Sequence, residues 1–169
     1  MKKNKSGFIP PVAGFTLVEI LIATALFGLV IAGTISVYIM CNKLWHATSL
    51  GMQTSRESSL ALSRLVYGVG TNSGLRAASG VTLVKSNDGS WHLTVSNLSG
   101  GVKYIDYSRS QGRISFPDNN SIICRDVSTS SVTTNLSGTI AIQLTVAKQD
   151  GMFKASNTVS TLVKIRNAQ

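Results

Sequence analysis

One apolar run, from Phe15 to Cys41, dominates what this chain can become. A single charged residue, Glu19, interrupts it, and no other charge lies between Lys5 and Lys43. As a helix the run would be about 40 Å long at 1.5 Å per residue. A bilayer core needs about 30 Å, or roughly 20 residues. The segment is therefore long enough to span a membrane. Lys2, Lys3 and Lys5 precede it, and such positive flanks stay in the cytoplasm. Everything after about residue 42 would then face outward.

Three ordinary explanations meet difficulties. A cleaved secretory signal has an apolar region of roughly 7–15 residues followed by small residues at a cut site. This run is longer, and "SVYIMCNK" offers no such site. A lipidated cysteine at Cys41 should follow a small residue, but Met40 stands there. A plain anchor fits length and charge and leaves Glu19 unexplained. A carboxylate near the bilayer centre costs about 2.5–3.5 kcal/mol on insertion scales, so it calls for a partner.

The small residues Val12-Ala13-Gly14 come before the apolar run. A cut after Gly14 would leave the whole helix on the product and create an ammonium at Phe15. Glu19 lies four residues on, one turn away on the same face. The first helical turn has unpaired N–H groups and partial positive charge, both favourable to a carboxylate. An offset between parallel helices could also pair one chain's Glu19 with a neighbour's Phe15 ammonium, making the carboxylate a register signal.

At these residues the chain resembles a known family. "KKNKSGFIPPVAG" followed by "FTLVEILIATALFGLVIAG" is similar to the class III signal of type IV pilins and type II secretion pseudopilins. The resemblance implies that a prepilin peptidase cuts after Gly14, that Phe15 becomes the N-methylated terminus, and that Glu19 is the assembly-register carboxylate. Gly28 matches a glycine common in that helix. Many major pilins carry a helix-kinking proline about 21 residues after the cut. Ser36 occupies that place here, with no proline between Pro11 and Pro117, which suits a minor, tip-type subunit. The closing "STLVKIRN" and the earlier "SSLALSRLVYGVG" are similar to J-type minor pseudopilins.

Beyond the membrane run, Leu44, Gly51, Ser55, Ser58, Leu62, Leu65, Val66 and Val69 share one face at helical spacing. The intervening "ATSLGMQTSRESS" is poor in strong helix formers, which predicts weaker order. Gly68, Gly70 and Asn72-Ser73-Gly74 predict the helix end. From residue 81 the period becomes two. Val81–Lys85 and Trp91–Ser96 flank Asn87-Asp88-Gly89, a hairpin signal. Val102–Ser108 and Arg113–Phe116 form another pair, and Ser121–Asp126 is a shorter candidate. Residues 128–138, rich in Ser and Thr, read as a loop. Ile140, Ile142, Leu144 and Val146 alternate with polar or small residues. Val159, Thr161, Val163 and Ile165 alternate with Ser160, Leu162 and Lys164. One long helix followed by antiparallel strands gives an α+β fold. Its divisions are a leader at 1–14, a membrane or filament-core helix at 15–41, an amphipathic continuation at 42–70 and a β domain at 71–169.

Net charge is +9, and +6 without residues 1–14, since that leader holds three of the 16 Lys and Arg and none of the seven Asp and Glu. The basic residues beyond the leader are scattered singly, which argues against a specific nucleic-acid partner. Cys41 and Cys124 show no zinc spacing and are poorly placed for a disulfide. His46 and His92 stand alone. Asp118-Asn119-Asn120 is a polar turn after Pro117, with calcium ligation the less favoured reading. No nucleophile–base ordering, phosphate loop or close carboxylate pair appears. The chain therefore reads as a structural subunit and not an enzyme, with no cofactor and no metal. Its partners are the prepilin peptidase, the inner membrane and other pilins or pseudopilins through the N-terminal helix. Two alternatives are a minor pilin of a pilus or DNA-uptake system and a membrane-anchored binding domain that never assembles.

Overall fold

A computed structural model of the chain describes residues 14–70, 72–97, 100–119, 121–135 and 138–165. The basic leader, Asn120 and the Arg166-Asn167 ending lie outside the described residues. Contacts divide the chain into two compact units, with the boundary between Leu44 and Trp45.

Helix α1, Leu17–Tyr67, is assigned without a break over 51 residues. Weaker order predicted for "ATSLGMQTSRESS" is not seen, because tertiary packing outweighs low propensity there. In the first unit every residue from Gly14 to Leu44 is exposed. Polar side chains in this stretch bond locally. Thr24 Oγ1 donates to the Leu21 carbonyl at 3.0 Å, Thr34 Oγ1 to Ile31 at 2.8 Å and Ser36 Oγ to Ala32 at 2.9 Å. Hydroxyls satisfied within their own helix can face lipid.

In the second unit α1 buries Leu50, Thr54, Ser58, Ala61 and Leu65. This line differs from the predicted stripe: Leu44 and Ser55 are exposed, while Leu62 and Val66 are only partly buried. Small and hydroxylic residues occupy the line because the sheet comes close. Asn157 donates its Nδ2 hydrogen to Ser58 Oγ at 2.6 Å, and Thr54 Oγ1 returns to the Gly51 carbonyl at 2.9 Å.

The helix ends in a tight reversal. Gly68 has φ +94°, and the short strands β1, Gly68–Val69, and β2, Asn72–Ser73, pair beside it. A Cβ at Gly74 would collide with the backbone of Val66 and Gly68, so only glycine fits. A 3-10 turn, Leu75–Ala77, leads into the sheets.

Five consecutive antiparallel strands form the first large sheet: β3 (Ala78–Lys85), β4 (Trp91–Asn97), β5 (Val102–Ser108), β6 (Arg113–Phe116) and β7 (Ser121–Cys124). Asn87-Asp88-Gly89 does form the predicted turn, with Gly89 at φ +86° and its N–H donating to the Ser86 carbonyl at 3.1 Å. The second sheet is a meander of β8 (Val127–Thr134), β9 (Thr139–Asp150) and β10 (Phe153–Lys164). Strand β8 corrects the predicted loop at 128–138. A register shift between Val127 and Thr129 lets Val127 and Val132 both bury although they stand five positions apart. That bulge hides the period of two.

Both sheets and α1 share one core. Leu93, Val95, Ile105 and Phe116 come from the first sheet, Ile140, Ile142, Leu144 and Val146 from β9, and Ala61 and Leu65 from the helix. Trp91 Nε1 donates to Ser130 Oγ at 3.2 Å, linking β4 to β8. The α+β architecture expected from the sequence is present.

Candidate functional site

The local order at the helix start follows from four residues. Thr16 stands just before Leu17, and its carbonyl accepts the Ile20 N–H at 3.3 Å. Its Oγ1 accepts the Glu19 N–H at 3.3 Å. Glu19 Oε2 in turn accepts the Thr16 N–H at 2.9 Å and the Thr16 hydroxyl at 2.9 Å. Thr16-x-x-Glu19 is thus a capping box, in which each residue satisfies a donor of the other. Thr16 is the functional residue beyond the three motif positions, and its signal in the sequence is the Thr-x-x-Glu spacing itself.

Both bonds go to Oε2; among the described residues Oε1 accepts none. Glu19 also shares a shallow groove with Phe15, Ile20, Ala23, Thr24 and Phe27, one helix face over three turns. Phe15 is 83 % exposed. An added Cβ at Gly14 would meet nothing within 4 Å. Glycine at that position is therefore not required by packing within this chain. The three motif residues, Gly14, Phe15 and Glu19, are brought together at one exposed helix end.

The remaining candidates are dispersed. His46 stacks on Phe153 with ring centroids 5.8 Å apart and lies 3.9 Å from Asp150. His92 pairs across strands with Asp106 and stacks on Tyr104. Cys41 is exposed and Cys124 buried, and both are free thiols. Asp118 lies in a 3-10 turn, Pro117–Asn119. Among the described residues no three His, Cys, Asp or Glu side chains gather as metal ligands.

Residues 10–35 match the family described as "Prokaryotic N-terminal methylation motif". The match spans the Gly14–Glu19 segment and most of the apolar run, and it supports a pilin-like chain. Proteins of this kind are structural subunits. Comparison with curated proteins gives no match. Comparison with solved structures gives none either. Among the described residues, α1 is long and apolar enough to cross a membrane, as a single-pass anchor of a pilin-like protein requires.

Proposed function

We propose that this chain is a minor pseudopilin, a structural subunit of a type II secretion-like filament assembled from the inner membrane. The observation that carries the reading is the methylation motif at the head of an apolar helical stretch that is exposed throughout from Gly14 to Leu44. An apolar surface of that size needs lipid or other helices as cover. In the precursor the cover is the bilayer; in the filament it is the helices of neighbouring subunits.

Prepilin peptidase cuts after Gly14 and methylates Phe15. The leader stays cytoplasmic and the β domain lies outside the inner membrane. Glu19 then faces an ammonium, its own or a neighbour's, with Oε1 still available while Oε2 holds the cap. Ser36 at the usual proline position and the uninterrupted helical assignment favour a minor over a major subunit. The J-type assignment rests on two short segments, "SSLALSRLVYGVG" at the helix end and the closing "STLVKIRN".

Co-expression with a prepilin peptidase, followed by intact-mass measurement, tests this reading. The expected product starts at Phe15 and carries one added methyl group. A protein still starting at Met1, or cut near residue 40, overturns it.

A further inference from the structure

A second feature lies far along the chain, wholly within the unit after Leu44. Gln53, Arg56, Glu57, Leu60 and Arg64 of α1 form one wall of an open groove of about 600 Å³. Ile122, Ile123 and Cys124 of β7 form the other, with Arg125, Asp126 and Lys148 alongside. Strand β7 ends its sheet, so no strand covers its outer side among the described residues. The chain leaves that sheet at Asp126, whose φ of +58° turns it into β8. That corner ends β7 beside the groove.

The charges in the groove are unequal. Lys148 is paired with Glu57 at 2.6 Å. Among the described residues that line the groove, Asp126 is then the one acidic side chain left beside Arg56, Arg64 and Arg125. Arg64 donates one N–H to the Ile123 carbonyl at 3.1 Å, which fixes its guanidinium over the strand edge. A guanidinium has five donors, so most of its capacity remains for a carboxylate. From Arg56 to Arg64 the helix rises about 12 Å, which matches about four residues of extended chain.

We propose that this groove docks an extended acidic segment of a different protein, laid along the β7 edge with carboxylates on Arg56, Arg64 and Arg125. A second copy of this chain does not fit. Its acidic residues stand singly in the sequence, and copies carrying net positive charge repel. The inference is independent of the proposed filament role.

The test uses the full-length protein in detergent and a fluorescent hexaglutamate peptide, which self-repulsion keeps extended. Saturable binding that weakens with salt is expected, with hexaglutamine showing none. Arg56→Glu combined with Arg125→Glu should weaken binding at least tenfold. Lys85→Glu combined with Lys103→Glu makes the same change of net charge away from the groove and should alter binding less than twofold. Thermal unfolding of both pairs checks that the fold survives. Three results overturn the proposal: no binding of hexaglutamate, equal losses in the two double variants, or inorganic phosphate competing at the same concentration as the peptide. The last would make the groove a small-anion site only.

Discussion

Glu19 and Thr16 close a reciprocal cap, with the Thr16 N–H donating to Glu19 Oε2 at 2.9 Å and the Glu19 N–H to Thr16 Oγ1 at 3.3 Å. Glu19 therefore acts within its own helix as well as in any contact between chains. These two roles can be separated by chemistry. Glutamine also completes a capping box, but it carries no charge.

The first prediction uses that difference. Glu19→Gln should keep the helix start and lose recruitment into filaments, because an ammonium at Phe15 would be buried without a partner. Stranding one costs about 3–5 kcal/mol. Thr16→Ala removes the cap and keeps the charge; a lost cap costs about 1 kcal/mol. It should be recruited nearly as well as the parent. Both should still be cut after Gly14. Co-purification of processed protein with filament subunits decides the matter: normal recruitment of Glu19→Gln would leave the charge without an assembly role.

Asn157 and Ser58 give the second prediction. Their 2.6 Å bond joins β10 to a helix position with no exposed surface. Asn157→Ala should cost about 1–2 kcal/mol, which at this size lowers Tm by roughly 3–8 °C. Ser58→Leu should cost more, because it forces bulk into the close helix–sheet contact. Thermal circular dichroism of the full chain reports both; an unchanged Tm in Ser58→Leu would mean that the helix and sheet are not so close.

Much of this contact was not legible in the sequence. The strand pair around Gly89 could be read because its apolar residues alternate and turn residues separate the strands. Strand β8 could not be read in the same way. Its two valines lie an odd number apart and reach one face only through the bulge opposite Val146 and Thr145. Of the buried line of α1, Ser58 and Leu65 stand on the face read from the sequence, whereas Leu50, Thr54 and Ala61 do not; Thr54 and Ala61 do not look like core residues. They are there for their size. At the helix start the Gly14–Phe15–Glu19 motif was plain, since a lone charge in an apolar run is conspicuous. The groove between α1 and β7 joins residues far apart in sequence, and no local pattern announces it.

Gly74 supplies the third prediction. Its neighbours on the blocked side are backbone atoms of Val66 and Gly68, which cannot rotate aside as a side chain can. Gly74→Ala should therefore destabilise the domain by about 2 kcal/mol or more, in the range of other overpacking changes. Gly80→Ala is the control, since an added Cβ there meets nothing within 4 Å. Equal melting temperatures for the two variants would contradict the packing described.

The fourth prediction concerns Cys124. Burial, reinforced by the nearby carboxylates of Glu57 and Asp126, pushes its thiol from the ordinary 9.0 up to about 11. Its S–H donates to the Arg125 carbonyl at 3.2 Å. A raised pKa means that the folded state keeps a proton which the unfolded state releases. The associated stability is whole below about pH 9 and is lost as pH rises from there through about 11. Cys124→Ala removes this titration, so its denaturation midpoint should fall less than that of the parent between pH 9.0 and about 11, a window set by the two values. Alkylation gives a second reading, because the thiolate is the reactive form. With maleimide at about pH 8, below the unperturbed thiol pKa, exposed Cys41 should label readily in detergent. Buried Cys124 should label only after denaturation. Rapid labelling of Cys124 in the folded protein, or parallel pH profiles for parent and Cys124→Ala, would mean that the thiol is not held in its protonated form.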